Sequence, residues 1–152
     1  MGTNPSANLQ CGTGRAWSNL TMRMTERVRP LRVLAIEDDA DLRTFYGTIL
    51  EDEGHEVRLA DNGLDGMRNL DWDPDLILLD LMLPVMDGYE FLRRLRASPK
   101  GAHIPVLVLS ASLPPGRSTL HGAQAVLRKP FDFDRLLRTI EMYGNRPRAG
   151  AN

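Results

Sequence analysis

Four short stretches carry the side chains that could do chemistry: Glu37-Asp38-Asp39, Asp80, Ser110 and Lys129. Each sits at or just beyond the end of an apolar run. Taken alone, three acids ahead of a helix are more often an N-cap and favourable charges at the positive end of its dipole than ligands. Asp39 is read as that cap. Asp80 alone could be a turn residue, as Asp75 and Asp87 are read, and Ser110 alone could be a buried hydroxyl bonded to the backbone. Bringing Asp38 and Asp80 together beside Glu37 would instead concentrate negative charge in a partly buried cleft, which is costly unless a cation compensates. Magnesium suits such a site, since it prefers oxygen ligands and is typically held by one or two carboxylates plus a phosphate. Lys129 is the most telling of the set, because the chain has seventeen Arg and only two Lys. A compact ammonium makes a point contact with a phosphate where a forked guanidinium does not fit.

The elements that must position these groups alternate between short apolar runs and amphipathic segments from Leu31 onward, the pattern of repeated strand-helix units and a parallel sheet. Strands are predicted over Arg32 to Ile36, Glu56 to Ala60, Leu76 to Leu79, Val106 to Leu109 and Ala125 to Leu127. The first helix carries Leu42, Phe45, Ile49 and Leu50 on one face and stops at Gly54. A second, near Leu64 to Leu70, is interrupted by Gly66. The third, around Tyr89 to Ala97, buries Phe91, Leu92 and Leu95. The last has Asp132 as N-cap and a stripe of Phe133, Leu136, Leu137 and Ile140. Between them, after Pro114-Pro115-Gly116, few residues remain before Gly122, so a fourth helix there is expected to be short or distorted. All the chemical residues then lie at the carboxyl ends of parallel strands, the edge where doubly wound sheets bind ligands.

The 152 residues, 42% hydrophobic and 26% charged, have room for one domain and not for a second, output domain. The formal net charge of −1 predicts no direct nucleic-acid contact and no hold on anionic lipid. Residues 1–30 hold Arg15, Arg23, Arg27 and Arg29 against Glu26 and read, with their Gly, Asn, Ser and Thr, as a flexible tail. Residues 31–143 form the domain, and 144–152 a second tail. A single cysteine, Cys11, rules out an internal disulfide, and neither a membrane helix nor a secretion signal is present. A cytoplasmic protein is expected. His55, His103 and His121 have no metal or catalytic spacing.

Together, and in this order, Ile36-Glu37-Asp38-Asp39, the run Asp80-Leu81-Met82-Leu83-Pro84-Val85-Met86-Asp87-Gly88, Ser110-Ala111 and Lys129-Pro130-Phe131 resemble the receiver domains of two-component response regulators. The resemblance spans about Leu31 to Tyr143. It implies an α/β, flavodoxin-like, doubly wound sheet of five parallel strands in the order 2-1-3-4-5. By position it makes Asp80 the phosphoacceptor, and Glu37, Asp38, Asp80 and the backbone carbonyl of Met82 the ligands of Mg2+, with Mn2+ as a substitute. Ser110 and Lys129 become the hydroxyl and ammonium that meet the phosphoryl group, and the Lys129-Pro130 bond becomes cis.

The implied function is acceptance of a phosphoryl group from a phosphohistidine on a sensor histidine kinase or histidine phosphotransfer protein. Output would pass by protein contacts to a downstream target that the sequence does not name. Such a chain turns over no external substrate; transfer and hydrolysis occur at its own Asp80. Two departures qualify the readout. Val126 occupies the fifth-strand position where the family usually has an aromatic, and the stretch from Ser110 to Lys129 is short. These point to an altered readout surface, or to a phosphate shuttle or sink. Two rivals are a binding module that signals without phosphorylation and an aspartate-nucleophile phosphatase. The latter is disfavoured because Met82 stands where that chemistry needs a second acid.

Overall fold

A computed structural model describes residues 29–113, 119–145 and 147. Five parallel strands, β1 (Arg32–Ile36), β2 (Glu56–Ala60), β3 (Leu76–Asp80), β4 (Val106–Ser110) and β5 (Ala125–Arg128), form one sheet in the order β2-β1-β3-β4-β5. The helices are α1 (Ala40–Asp52), α2 (Gly63–Arg68), α3 (Gly88–Ala97) and α4 (Phe133–Gly144), with a 3-10 turn over Asn69–Trp72 after α2. The order reverses between β1 and β3, so the carboxyl ends of those strands flank the crevice that such sheets use for ligands.

Alternation along the strands builds two cores, because successive side chains leave a strand on opposite faces. Ile77 and Leu79 join Leu34, Ile36, Val106 and Val108 on one face, under Phe91, Leu92 and Leu95 of α3. Leu76 and Leu78 join Val33, Ala35, Leu107 and Leu109 on the other, under Tyr46 and Leu50 of α1 and Leu136 and Ile140 of α4. The inner strands β3 and β4 are buried at every residue. That is why they read as continuous apolar runs.

Several sequence expectations shift. On α1 the buried face runs through Tyr46, Gly47 and Leu50. Phe45 is 46% exposed and packs edge-on against Phe133 at 4.7 Å. Gly66 does not merely weaken α2: a Cβ there would come within 2.5 Å of the Ile36 side chain, so the glycine lets the helix press onto β1. Of the segment expected to hold a short or distorted helix, 111–113 and 119–124 contain no helix; 114–118 lie outside the described residues. So do 1–28 of the expected leading tail, whose described end pairs Arg29 with Asp75 at 3.1 Å, and most of the trailing one. The last helix runs one residue beyond the expected boundary, to Gly144.

Arg96, near the end of α3, ties that helix to the described part of the β4–β5 connection. Its guanidinium donates to the carbonyls of Gly101 (2.9 Å), Ile104 (2.8 Å) and Gly122 (2.8 Å), and to the Gln124 side chain (3.2 Å). Gln124 in turn accepts from Val106 N–H at 2.7 Å, at the start of β4. Removing the fork strands several part-buried carbonyls, so Arg96→Ala should cost about 2–3 kcal/mol. Thermal unfolding should register a fall in Tm on the order of 10 °C. Arg96→Lys should recover only part of it, since an ammonium cannot span these acceptors. A Tm unchanged in both variants would show that the clamp carries no stability.

Candidate functional site

Strand ends and helix caps set the positions of the chemical groups. The acidic stretch leaves β1 and enters α1: Asp39 caps that helix, accepting from Leu42 N–H at 2.9 Å. Glu37 stays at the sheet edge, bound through its own N–H to the Ala60 carbonyl at 3.0 Å. Asp80 is the last residue of β3 and pairs in register with Leu109; Ser110 ends β4 one residue later. Lys129 follows β5, its N–H donating to the Ser110 carbonyl at 2.9 Å, and its bond to Pro130 is cis. Asp87 caps α3 through Glu90 N–H. A Cβ on Gly88 would meet the Asp80 carbonyl at 2.5 Å and Leu81 Cα at 2.6 Å, so the helix abuts the strand end that bears Asp80. The connecting loop places Val85 at φ +66°, a left-handed conformation that costs a β-branched residue about 1–2 kcal/mol. Strain of this kind clusters beside functional sites.

The carboxylates of Glu37, Asp38 and Asp80 converge, one oxygen of each lying within 4.8 Å of the others. Glu37 and Asp80 are buried and Asp38 is exposed. The Lys129 ammonium sits 2.7 Å from Glu37 Oε2 and 3.4 Å from Asp80 Oδ2. Asp80 Oδ1 accepts from Met82 N–H at 3.2 Å, which fixes the rotation of the carboxylate. Met82 itself projects its side chain into solvent. Burial raises the Glu37 pKa, the Lys129 hydrogen bond draws it back, and the charge of Asp80 raises it again; the net direction is up. Burial works against the Lys129 ammonium, but the Glu37 bond and the two carboxylate charges outweigh it, and its pKa is raised.

One ammonium faces three carboxylates, and two such charges at this separation repel by about 3–4 kcal/mol at an effective dielectric of 20. The donor set is all hard oxygen, open on the Asp38 side. It therefore fits a small divalent cation, as the sequence predicted.

Ser110 is fully buried, its hydroxyl donating to the Ser112 carbonyl at 2.9 Å and accepting from Ser112 N–H at 3.2 Å. The structure thus brings Glu37, Asp38, Asp80 and Lys129 together, sets Ser110 at the same edge with its hydroxyl turned to its own loop, and places Met82 against Asp80 through its N–H. Val126 is half-buried on the core beneath α3. Two residues near the site went unread in the sequence. Tyr46, whose hydroxyl burial pushes up to about 12, hid one step from the predicted α1 stripe. Arg43, on the first turn of α1, reads as an ordinary solvated helix residue.

Residues 33–141 match the family model of the response regulator receiver domain. The chain belongs to that family. It is 38% identical over 114 residues to the DNA-binding dual master transcriptional regulator RpaA of Synechocystis, covering 72% of this chain and 47% of that one. It spans about half the length of the first curated regulators it matches. Among solved structures it is similar to the receiver domain of the sensor histidine kinase PA1611 of Pseudomonas aeruginosa, which holds a magnesium ion in its active site cleft. That match has a TM-score of 0.71 and 29% identity, covering 77% of this chain and 99% of the other. The chemotaxis response regulator CheY4 of Vibrio cholerae matches with a TM-score of 0.68 and 30% identity, over 75% and 98% of the two chains. Receiver domains are signalling modules rather than turnover enzymes, and the two-component assignment and flavodoxin-like order of this receiver agree with its sequence motifs.

Proposed function

We propose that this receiver accepts a phosphoryl group on Asp80 from a partner phosphohistidine, in the cytoplasm, and signals through protein contacts rather than nucleic acid. The observation that carries the reading is the meeting of Glu37, Asp38 and Asp80 with the Lys129 ammonium in one cleft at the carboxyl edge of the sheet. Glu37, Asp38, Asp80 and the Met82 carbonyl would hold Mg2+, or Mn2+ in its place. When bound, that ion offsets the carboxylate charge and stabilises negative charge on phosphoryl oxygens.

An Asp80 oxygen attacks phosphorus; the bond to the donor imidazole nitrogen breaks, and the imidazole leaves with its electron pair. Met82 N–H holds the carboxylate for in-line attack, and Lys129, leaning on Glu37 beforehand, lies within reach of an oxygen on the incoming group. For Ser110 to donate to the phosphoryl group its hydroxyl must leave the Ser112 carbonyl, which would re-form the loop leading to Leu113. Water later cleaves the acyl phosphate at the same residue. The donor would be a sensor histidine kinase or a histidine phosphotransfer protein.

Intact mass after incubation with acetyl phosphate tests the reading. One phosphoryl adduct is expected with magnesium and almost none with EDTA. A folded protein that binds magnesium yet takes no adduct would favour the phosphorylation-independent binding module, and steady turnover of a phosphomonoester would favour the phosphatase.

A further inference from the structure

We infer that Arg43 is a positioning residue for the cation site: it holds the Glu37-Asp38 turn so that both carboxylates face Asp80. The inference rests on the metal-assisted reading above. One guanidinium nitrogen of Arg43 donates to the Glu37 carbonyl at 2.8 Å and to the Asp38 carbonyl at 3.1 Å. These are the backbone oxygens of two of the three clustered acids, and neither bond belongs to the helix or the sheet.

The turn has other restraints: Glu37 N–H to Ala60, the Lys129 ammonium on Glu37 Oε2, Asp39 N–H to Glu37 Oε1 at 3.3 Å, Arg43 N–H to the Asp39 carbonyl, and the Asp39 cap on α1. All act on Glu37 or Asp39, the Asp39 N–H being shared with the peptide that follows Asp38. Asp38, the exposed member of the cluster, is a single bend residue between strand and helix. Among the described contacts Arg43 holds its carbonyl, while the N–H of the same 38–39 peptide makes the longer bond to Glu37 Oε1. A bond to the carbonyl gives the plane of the 38–39 peptide a second hold and so narrows the directions open to the Asp38 side chain. It also places a cation behind the turn, opposing the repulsion that would swing an exposed carboxylate away from two others. Without Arg43, Asp38 is free to turn to water, and the ion must then meet the ordering cost that the protein had already met. Groups that orient metal ligands in this way change affinity by roughly 10–100-fold when removed.

Mn2+ affinity, measured by electron paramagnetic resonance or calorimetry on the full chain, gives the readout. Arg43→Met, which keeps the stem and removes the donors, should weaken Mn2+ binding about tenfold or more, with far-UV circular dichroism and metal-free Tm close to wild type. Arg43→Lys, with one ammonium able to reach a carbonyl, should fall between the two. Should Arg43→Met fail to fold, Arg43→Leu, equally without donors, carries the same expectation. Wild-type Mn2+ affinity in a donorless folded variant, or a lowered Tm with affinity unchanged, overturns the positioning role and leaves Arg43 a structural residue. If the wild-type chain itself binds no Mn2+, the metal reading fails instead, and the two failures are told apart by that first titration.

Discussion

Asp80→Asn is expected to abolish the phosphoryl adduct and, in the absence of a divalent cation, to make the fold more stable than wild type. The first effect follows from chemistry: the amide keeps an oxygen that can accept from Met82 N–H but has no nucleophilic carboxylate oxygen to form the acyl phosphate. The second follows from the charge balance of the cleft. Asp80 gains from Lys129 at 3.4 Å, but it faces the carboxylates of Glu37 and Asp38 within 4.8 Å and is itself buried. Two repulsions and a desolvation cost oppose one attraction, so neutralising it should add about 1 kcal/mol in EDTA. Magnesium reverses the ranking. A ligand at ten times its dissociation constant stabilises the folded state by about 1.4 kcal/mol, and the variant, with one carboxylate fewer, should lose most of that response. Denaturant titrations of both proteins, with EDTA and with magnesium, should therefore cross. A variant less stable than wild type in EDTA would mean that Lys129 outweighs the acids, and an adduct persisting on the Asp80→Asn protein would mean that another residue is the acceptor.

How far the sequence revealed this site depended on what kind of information fixed each part. The strands were legible because inner parallel strands are buried on both faces and must be apolar throughout, as β3 and β4 are. Predicted β3 and β4 stopped one residue short, at Leu79 and Leu109, since apolar pattern ends where polar chemistry begins. In the structure Asp80 and Ser110 still pair with the neighbouring strands. The same one-residue difference puts both groups on rigid backbone rather than in a loop. The sheet order could not come from pattern; only the resemblance of the motifs implied it, and the pairing of β1 with both β2 and β3 bears it out.

The α1 stripe was off by one position because Phe45 and Tyr46 both suit a core, and a helical wheel does not say which one meets the sheet. Packing chose Tyr46, leaving Phe45 to Phe133. Arg43 and Arg96 were illegible for a deeper reason. Their partners are backbone carbonyls, which carry no sequence identity, so an arginine that clamps a turn looks like one that faces water. Lys129 could be picked out because lysine is so rare in this chain and because it opens the Lys129-Pro130-Phe131 motif after the last strand.

Lys129→Ala should slow phosphorylation by about 10²–10³-fold, the usual effect of removing one donor that meets charge developing in a transition state. It should also unbalance the resting cleft. Glu37 is 2% exposed and Lys129 is its close cation at 2.7 Å; without it a buried carboxylate remains beside Asp80. Loss of one partner of a buried pair costs about 3–5 kcal/mol, but Lys129 keeps some solvent contact, so about 2 kcal/mol is expected here. Lys129→Arg should restore little of the rate, because a planar fork does not reproduce a point contact shared by two acids.

The pH dependence gives the sign. Glu37 already has a raised pKa in the folded protein, and removing Lys129 removes an influence that lowers it. A raised folded pKa destabilises above the unfolded value, so the variant's deficit should be widest near neutrality and shrink as the pH falls toward the ordinary carboxyl value of 4.5, because folded Glu37 takes up its proton before that value is reached. Unfolding measured in EDTA from about pH 4.5 to 8 checks this. A deficit that instead grew on acidification would show that Lys129 stabilises the fold through something other than its hold on Glu37.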